Sequence, residues 1–382
     1  MMPPHCVAGD AHAPAAAGRV RLWSVEEFGQ SQAIWDDLLR RSDADPLFLS
    51  WQWQWRWWTH HAAALAATLR LVAVYADGRL IGIAPFYSRQ VRARRVLQSR
   101  RLELIGVAWR EPAAAFSDYL DIVAEAGARS VVIAAIDEWL EREPFWEELL
   151  LCCTKRTGVA AELVRKGLAR RTFVREVDPL SGWRIRLPRS FGDYLQTLSA
   201  SARRKLFNQR RKLIDPEVGY ATEGDVVETL QRLWRLSAPR WGGRVPPVHV
   251  QAFHHELATG LARTGELRLS WLNVDGRPLS ILYCAERADT VYYLQSGFDP
   301  ESGRGDSPGL LHLGYAIEAA CKAEVRWFDL LAGRGRSRDY KRDLRTEEIP
   351  VVNYHVVRGS LRRALYGAYE RFQGRRNASH TI

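Results

Sequence analysis

The pattern of apolar and polar positions along the chain repeats once over a long interval. Residues 69–86 and 267–284 each read as an apolar strand, an Asp-Gly pair and a second apolar strand, which predicts a β-hairpin in each segment. At an offset of 198 residues, seven of the eighteen aligned positions are identical. Unrelated segments of this length would share roughly one identity, so the pattern indicates an internal repeat.

The elements predicted after each hairpin follow the same order of strand, helix and strand. They cover residues 117–123, 130–141 and 146–151 in the first copy, and residues 290–296, 308–323 and 325–331 in the second. Alternating strands and helices are typical of mixed α/β layers, and each helix supplies the crossover that a parallel pair of strands requires. We therefore predict an α/β fold of two pseudo-symmetric mixed-sheet domains.

The length of the chain, 382 residues, exceeds what one ordinary hydrophobic core holds and predicts two domains. The expected divisions are a disordered tail over residues 1–18, an N-terminal domain over 19–180, a C-terminal domain over 181–370 and a basic tail over 371–382. Just after the boundary, residues 191–213 carry an apolar stripe at helical spacing, which predicts one long amphipathic helix.

The formal net charge of +11 favours an anionic partner, such as a phosphate-bearing cofactor, a nucleic acid or a membrane surface, the alternative being general basicity without a specific partner. No apolar run approaches the roughly 20 residues that span a bilayer. The opening residues lack a signal-peptide pattern, and the five cysteines are scattered without a C-x-x-C pair, so we expect a cytoplasmic protein. The histidines at 249, 254 and 255 lack the spacing of a zinc site, and we expect no bound metal.

Two stretches of the sequence concentrate positive charge. Arg203, Arg204 and Arg210 belong to the predicted long helix and would bind an acidic acceptor or a tRNA backbone, the alternative being a solvated charged face. The second stretch, the arginines between 89 and 101, is interpreted as a loop with edge strands. The tryptophans between 51 and 58 are interpreted as core anchors rather than a ligand-stacking surface.

Several short motifs in the second copy follow a recognisable order. They are Tyr-Leu-Gln-Ser-Gly-Phe-Asp at 293–299, Ser-Pro-Gly-Leu-Leu at 307–311, Phe-Asp-Leu-Leu at 328–331, Gly333 and Tyr340-Lys341. With the basic segment at 203–213 and the aromatic segment at 48–58, this order resembles the CelD-like acetyltransferases, bacterial proteins of GNAT fold linked to cellulose or exopolysaccharide production. The resemblance covers residues 20–370, and the tandem arrangement is similar to FemAB-type peptidyltransferases, which use aminoacyl-tRNA.

The resemblance implies an acyltransferase that moves an acyl group, acetyl above all, from acetyl-CoA or another acyl-CoA to an amine or hydroxyl of a small-molecule or saccharide acceptor. Two alternatives stay open. One is aminoacyl transfer from tRNA, and the other is a non-catalytic subunit of a polysaccharide-producing assembly. DNA is not an expected partner.

The resemblance also implies roles for particular residues. The donor would be held by Gln295, Ser296, Gly297, Arg304, Gly305, Ser307, Gly309 and Leu310. Asp329 is the candidate base or acceptor-orienting group, Tyr340 the proton donor to the leaving thiolate, and Lys341 a phosphate or acceptor ligand. Physical chemistry agrees at the helix start, where Ser307 suits the N-cap and Pro308 the first helical position, although an ordinary capped helix would look the same.

The corresponding loop of the first copy, residues 124–129, carries Glu125 and lacks the Gly-x-Gly spacing. A carboxylate at this position would repel a phosphate. We therefore expect the second copy alone to bind the donor, and the first copy to form a scaffold and one wall of the acceptor site.

Overall fold

A computed structural model describes residues 18–93, 97–111, 114–299, 308–333 and 340–359, together with residues 362, 364 and 366. The strands of the first half are β1 (Arg19–Trp23), β2 (Thr68–Ala76), β3 (Arg79–Ala93), β4 (Leu97–Leu104), β5 (Val123–Ala124), β6 (Glu148–Lys155) and β7 (Phe173–Glu176). Its helices are α1 (Val25–Gln30), α2 (Gln32–Arg40), α3 (Trp51–His61), α4 (Arg129–Arg142) and α5 (Val159–Lys166).

The second half contains an equal number of strands. They are β8 (Leu180–Arg186), β9 (Pro216–Tyr220), β10 (Leu267–Val274), β11 (Arg277–Arg287), β12 (Thr290–Phe298), β13 (Trp327–Ala332) and β14 (Glu347–Val357). Its helices are α6 (Phe191–Thr197), α7 (Ala200–Leu206), α8 (Val226–Ser237), α9 (Val248–Arg263), α10 (Pro308–Lys322) and α11 (Tyr340–Asp343). None of the described helices has both the length and the apolar character needed to cross a membrane.

Both hairpins form as predicted, and they match in detail. The turn residues Asp77 and Gly78 have φ of 50° and 76°, and Asp275 and Gly276 have φ of 52° and 65°, as a two-residue turn of type I′ requires. In each hairpin the register then skips one residue of the second strand, at positions 81 and 279. The two skipped positions lie 198 residues apart, the same offset as the sequence repeat.

The described strands form one mixed sheet in the order β1-β2-β3-β4-β6-β14-β8-β13-β12-β11-β10-β9, with β5 on β3 and β7 on β14. One strand of the second half, β14, joins the two halves at its centre. Strand β14, from the end of the chain, pairs with β6 of the first half, while β8 pairs with both β13 and β14. Outward from this centre the pairing directions repeat, because β4 is parallel to β6 as β12 is to β13, and each outer neighbour is antiparallel.

The predicted α/β class with two pseudo-symmetric mixed-sheet units is confirmed by this repeated order. The boundary expected between residues 180 and 181 falls at the start of β8, inside the shared sheet. The division into ranges 19–180 and 181–370 stays a prediction.

The predicted position of the third strand of the first half, residues 117–123, is wrong. Residues 117–122 form no regular element, and β4 instead lies within the arginine-rich stretch that was interpreted as a loop with edge strands. The reason is the alternation along β4: Leu102 and Leu104 are completely buried, while Arg101 projects to the opposite face and pairs with Glu148. Because the charged residues dominate this stretch of sequence, its alternating apolar residues were not recognised as one face of a strand.

The single long helix predicted over 191–213 is also wrong. The structure breaks it into α6, α7 and a 3-10 turn at Asn208–Lys212. Leu198 is extended, and the Ser199 side chain accepts a hydrogen bond from the Ala202 amide, which caps a new helix. The apolar stripe is still buried, since Leu198 and Leu206 pack in the core of the second half.

The helices cover both faces of the sheet. In the second half α6, α7 and α10 pack on one face, whereas α8 and α9 pack on the other, where α9 also contacts α3. The tryptophans of α3 are core anchors, as predicted: Trp53 donates to Ser117 Oγ at 2.8 Å and Trp57 to the Ala115 carbonyl at 2.9 Å. These bonds fix the loop between β4 and β5, which reaches the centre of the molecule.

The close approach of α7 to α10 gives a test of this packing. A Cβ atom on Gly314 would lie 2.1 Å from the Leu206 carbonyl oxygen, so Gly314→Ala forces the two helices apart. Overpacking of this kind costs about 1–3 kcal/mol, against a helix-propensity gain of at most about 1 kcal/mol. Denaturant unfolding should show a lower free energy of unfolding for Gly314→Ala and no loss for Gly127→Ala, whose Cβ meets nothing within 4 Å.

Candidate active site

Strands β12 and β13 diverge at the centre of the second half. Their parallel pairing begins at Thr290 and Trp327 and ends at Tyr292 and Asp329. Directly beyond that point β12 bulges, because its register with β11 skips Leu294. A bulge takes one residue out of the hydrogen-bond ladder, so this strand presents backbone groups at the opening between the two strands.

The first half lacks this feature at the matching place. Strands β3 and β4 pair without a skipped residue along their described register, and the parallel pairing of β4 with β6 ends at Glu103 and Leu150. Glu103 is completely buried, accepts a hydrogen bond from the Tyr87 hydroxyl and pairs with Arg89 at 2.9 Å. An internal ion pair therefore occupies the place where the second half opens.

Hydroxyl groups line the opening in the second half. The Tyr293 and Ser296 hydroxyl oxygens lie 2.6 Å apart, and the Tyr340 side chain is hydrogen-bonded to Tyr293. Arg240 donates to the Ser296 carbonyl and lies over the Phe298 ring, 4.3 Å from its centre. The structure thus connects Tyr340, through Tyr293, to Ser296 of the predicted donor segment, and the roles of these residues stay predictions.

Asp329 lies at the point of divergence and is only 4% exposed. One of its oxygens, Oδ1, accepts from the Tyr119 hydroxyl at 2.8 Å and from the Leu331 amide at 2.7 Å. Burial raises the pKa of this carboxyl to about 7. Since Tyr119 belongs to the loop between β4 and β5, the first half reaches directly into this site.

Two further buried carboxylates were missed by the sequence analysis. Asp118 is 6% exposed, and its Oδ1 forms no hydrogen bond within the described part of the chain. Burial, followed by the charge of Asp329, raises the pKa of Asp118 to about 7. Asp45 accepts from the Tyr292 hydroxyl at 3.3 Å, and burial raises its pKa as well. For Asp118, the available signal was a polar residue within the apolar stretch 117–123. The interpretation of this stretch as a strand kept Asp118 from being considered as a site residue.

Two lysines accompany these acids. Lys155 Nζ lies 3.9 Å from an Asp45 oxygen and 4.9 Å from the Tyr119 ring centre. Lys341 is 6% exposed, and its ammonium donates to the carbonyls of Leu330 and Leu331 at 2.8 and 3.0 Å. The charge of Lys341 also lowers the pKa of Asp118, against the larger effect of burial. Lys341 therefore holds the end of β13 beside the acids, and its predicted ligand role stays a prediction.

The predicted donor loop is described only in part. Arg304, Gly305 and Ser307 lie outside the described residues. Gly309 lies in the first turn of α10 against the Phe298 ring, and Leu310 packs on the core of the second half. A glycine at this turn lets an anion approach the helix amides closely.

The matching helix start of the first half is closed by charge. Glu125, just before α4, forms ion pairs with Arg41 and with Arg79, the latter at 2.9 Å. Arg129, at the first position of α4, pairs with Glu162 at 2.6 Å. The carboxylate that the sequence analysis noted thus has internal partners here.

The basic residues predicted to bind the acceptor differ in their surroundings. Arg210 pairs with Glu318 of α10, and its guanidinium lies 3.6 Å from the Tyr315 ring centre. Arg203 is half-buried and Arg204 is exposed. No group of three or more metal-ligating side chains occurs within the described ranges.

Comparison with known proteins supports the fold. Residues 200–342 match the family model described as an acetyltransferase (GNAT) domain, and this range contains the bulged strand and α10. The chain has a tandem GNAT fold. A search of curated proteins found no match.

Solved structures with the same fold extend over nearly the whole chain. The crystal structure of FemX is 11% identical, covers 92% of this chain and 99% of its own, and has a TM-score of 0.59. A conserved protein of unknown function from Bacteroides thetaiotaomicron VPI-5482 is 10% identical, with coverages of 89% and 99% and a TM-score of 0.54. The C-terminal domain of a putative lysylphosphatidylglycerol synthetase from Agrobacterium fabrum is 11% identical, with coverages of 89% and 94% and a TM-score of 0.52.

The raised pKa of Asp329 predicts a pH dependence of stability. The folded carboxyl titrates at about 7 and the unfolded one near 3.8, so the folded state holds the proton more tightly between these values. Asp329 should therefore contribute a loss of stability, by up to a few kcal/mol, as the pH rises from about 4 to about 7. Asp329→Asn keeps an oxygen that can accept from Tyr119 and Leu331, and it should lose less over this range.

Denaturant unfolding at a series of pH values measures the difference. The control is Glu141→Gln, which removes an exposed carboxylate from α4 and should follow the wild-type curve. Parallel curves for the wild type and Asp329→Asn would contradict the assignment. The double variant with Asp118→Asn should flatten the dependence further, because both acids titrate in the same range.

Proposed function

We propose that this protein is an acyltransferase that binds an acyl-CoA donor in its second half and transfers the acyl group to an amine or hydroxyl of a sugar or small metabolite. The observation that carries the proposal is the opening between β12 and β13, with its bulge at Leu294, which the first half does not reproduce. Only the second half also combines an opening of this kind with a glycine in the first turn of the following helix.

The backbone beside the bulge would polarise the acyl carbonyl. Leu294 is out of the ladder with β11, so the amides of this segment can point toward an oxygen that gains negative charge. The adjacent carbonyl of Ser296 is already held by Arg240, which fixes the strand in place. Such fixed donors need no rearrangement as charge develops.

Asp329 would take the proton from the acceptor amine or hydroxyl as the new bond to the acyl carbon forms. A base with a pKa of about 7 is ionised in a large fraction of molecules at neutral pH and still binds a proton readily. The Tyr119 hydroxyl holds the carboxylate in position from the first half. As the bond between carbon and sulfur breaks, Tyr340 would donate its phenolic proton to the leaving thiolate.

Aminoacyl transfer from tRNA is the second candidate. It is favoured by the similarity in fold to FemX and to the lysylphosphatidylglycerol synthetase domain, and by the exposed basic residues Arg204, Arg211 and Lys212. The link to cellulose or exopolysaccharide production rests on the sequence motifs alone. A panel of acetyl-CoA, longer acyl-CoAs and aminoacyl-tRNA in a thermal-shift assay separates the donors, because a bound donor raises the apparent stability.

The donor site can be tested at Gly309. Gly309→Asp places a carboxylate in the first turn of α10, where it would repel the pyrophosphate of coenzyme A. At a donor concentration of about 100 times Kd, the wild type gains about 2.7 kcal/mol, and most of this gain should disappear in the variant. Gly309→Ala measures the steric part of the effect, since a Cβ atom there would lie 3.1 Å from the Phe298 ring.

The matched control in the first half is Gly127→Asp. Gly127 lies just before α4, and a Cβ atom on it meets nothing within 4 Å. A substitution of Arg129, at the start of α4, would be a poorer control because it would also break the ion pair of Arg129 with Glu162. Equal losses of donor binding in the Gly127 and Gly309 aspartate variants would exclude a donor site confined to the second half.

The role of Tyr340 can be tested by Tyr340→Phe. If its phenol protonates the thiolate, kcat should fall by about 10²–10⁴-fold while donor affinity hardly changes, because the interaction exists only in the transition state. Steady-state kinetics at saturating donor give kcat, and the thermal shift gives donor binding. Tyr220→Phe, at a half-exposed tyrosine of β9, should leave both unchanged. Wild-type kcat in Tyr340→Phe would reduce Tyr340 to a packing role.

A further inference from the structure

A cleft of about 650 Å³ opens over the sheet of the first half, apart from the acids at the centre. Among the described residues, five arginines from β3, β4, β7 and the loop after β4 line it; they are Arg89, Arg92, Arg101, Arg110 and Arg175. The carboxylates that face them are fewer, namely Glu103 and Glu148 below the cleft and Glu111 and Asp178 at its rim. The side chains around the cleft therefore carry a positive balance.

The bottom of the cleft is rigid and neutral. Arg89 pairs with Glu103 at 2.9 Å and Arg101 with Glu148 at 2.8 Å, and both carboxylates are fully buried. These bonds engage Nε and one terminal nitrogen of each guanidinium. The remaining nitrogen, Nη1, lies 4.0 Å from Glu111 in Arg89 and 3.8 Å from Glu103 in Arg101, beyond hydrogen-bond distance. Its N–H groups can then bind an anion without a further loss of side-chain freedom.

His355 positions Arg175 at the far wall of the cleft. Its Nδ1 accepts from the Arg175 guanidinium at 2.7 Å, so the proton of the neutral ring resides on Nε2. Burial lowers the pKa of His355, which keeps the ring neutral. Arg175 in turn lies over the Tyr366 ring, 5.1 Å from its centre. The neutral histidine thus orients Arg175 without neutralising the positive charge of Arg175.

The mouth of the cleft carries charge that the protein does not neutralise strongly. Arg92 is exposed and forms no ion pair within the described ranges. Arg110 stacks on Trp109 and pairs with Asp178 at 3.3 Å, but both partners are more than half exposed, so this pair contributes little. An incoming anion can therefore replace Asp178 as the partner of Arg110 at low cost.

We propose that this cleft binds a small phosphate-bearing molecule at a site separate from the donor site. Arginine is suited to this ligand because its planar fork matches two oxygens of a phosphate, and the half-buried ring of Trp109 offers a planar surface beside it. Val177 lines this cleft and also a second cavity, which extends to Gly333 and Arg342 of the second half. If the chain is an acyltransferase, a phosphorylated acceptor anchored in the cleft would therefore reach the place where the two halves meet.

Titration calorimetry of the full chain with inorganic pyrophosphate tests the site. Arg92→Glu combined with Arg110→Glu should weaken binding by at least about tenfold, because two attractive charges become repulsive. The matching lysine pair keeps the charge and should retain most of the affinity. Arg235→Glu, at an exposed position of α8, makes the same charge change elsewhere and should leave binding unchanged.

The Gly309→Asp variant distinguishes this cleft from the donor site. Pyrophosphate binding should persist in Gly309→Asp, and acyl-CoA binding should persist in the double glutamate variant. Binding that disappears in Gly309→Asp would place the pyrophosphate at α10 and overturn the proposal. Wild-type affinity in the folded double glutamate variant, or no binding by the wild-type chain, would overturn it equally, whatever the fate of the acyl-CoA site.

Discussion

The pairing of β14 with strands of the first half is the constraint on which the rest of the molecule depends. Every interior strand of a sheet needs a hydrogen-bonded neighbour on both sides. Here β6 and β7 of the first half both find a neighbour in β14, from the far end of the chain. The halves therefore cannot separate without exposing two strand edges, and the loop between β4 and β5 is held against the end of β13.

This shared sheet explains why two copies of one architecture have different sites. The hairpins match down to the skipped residue, yet only β12 carries a second bulge where the parallel strands part. In the first half Glu103, Tyr87 and Arg89 form a closed polar network at that level. The first copy is thus closed at this level, and it supplies Tyr119 to the other copy, where polar groups remain for a substrate.

Strong local signals made the hairpins, α4, α10, β6 and β13 predictable from the sequence. Asp-Gly turns and long apolar helices depend on neighbours a few residues away. The errors came from longer-range effects. The charged face of β4 is tolerated only because Glu148 lies beside Arg101, and the break at Ser199 competes with an apolar stripe that suits a continuous helix equally well. Asp118 could not be placed, because its proximity to Asp329 arises from the fold.

The central acids are costly to the folded state, and this cost bears on function. Asp45, Asp118 and Asp329 are all buried, and for each of them burial raises the pKa more than the nearby lysines lower it. A fold selected for stability alone could replace such a cluster with apolar side chains. Perturbed acids concentrate where a proton must be held and released, and these lie at the opening between β12 and β13. The opening between β12 and β13 therefore has acids that can exchange protons. At the matching level of the first half, Glu103 and Glu148 are instead held in ion pairs with arginines.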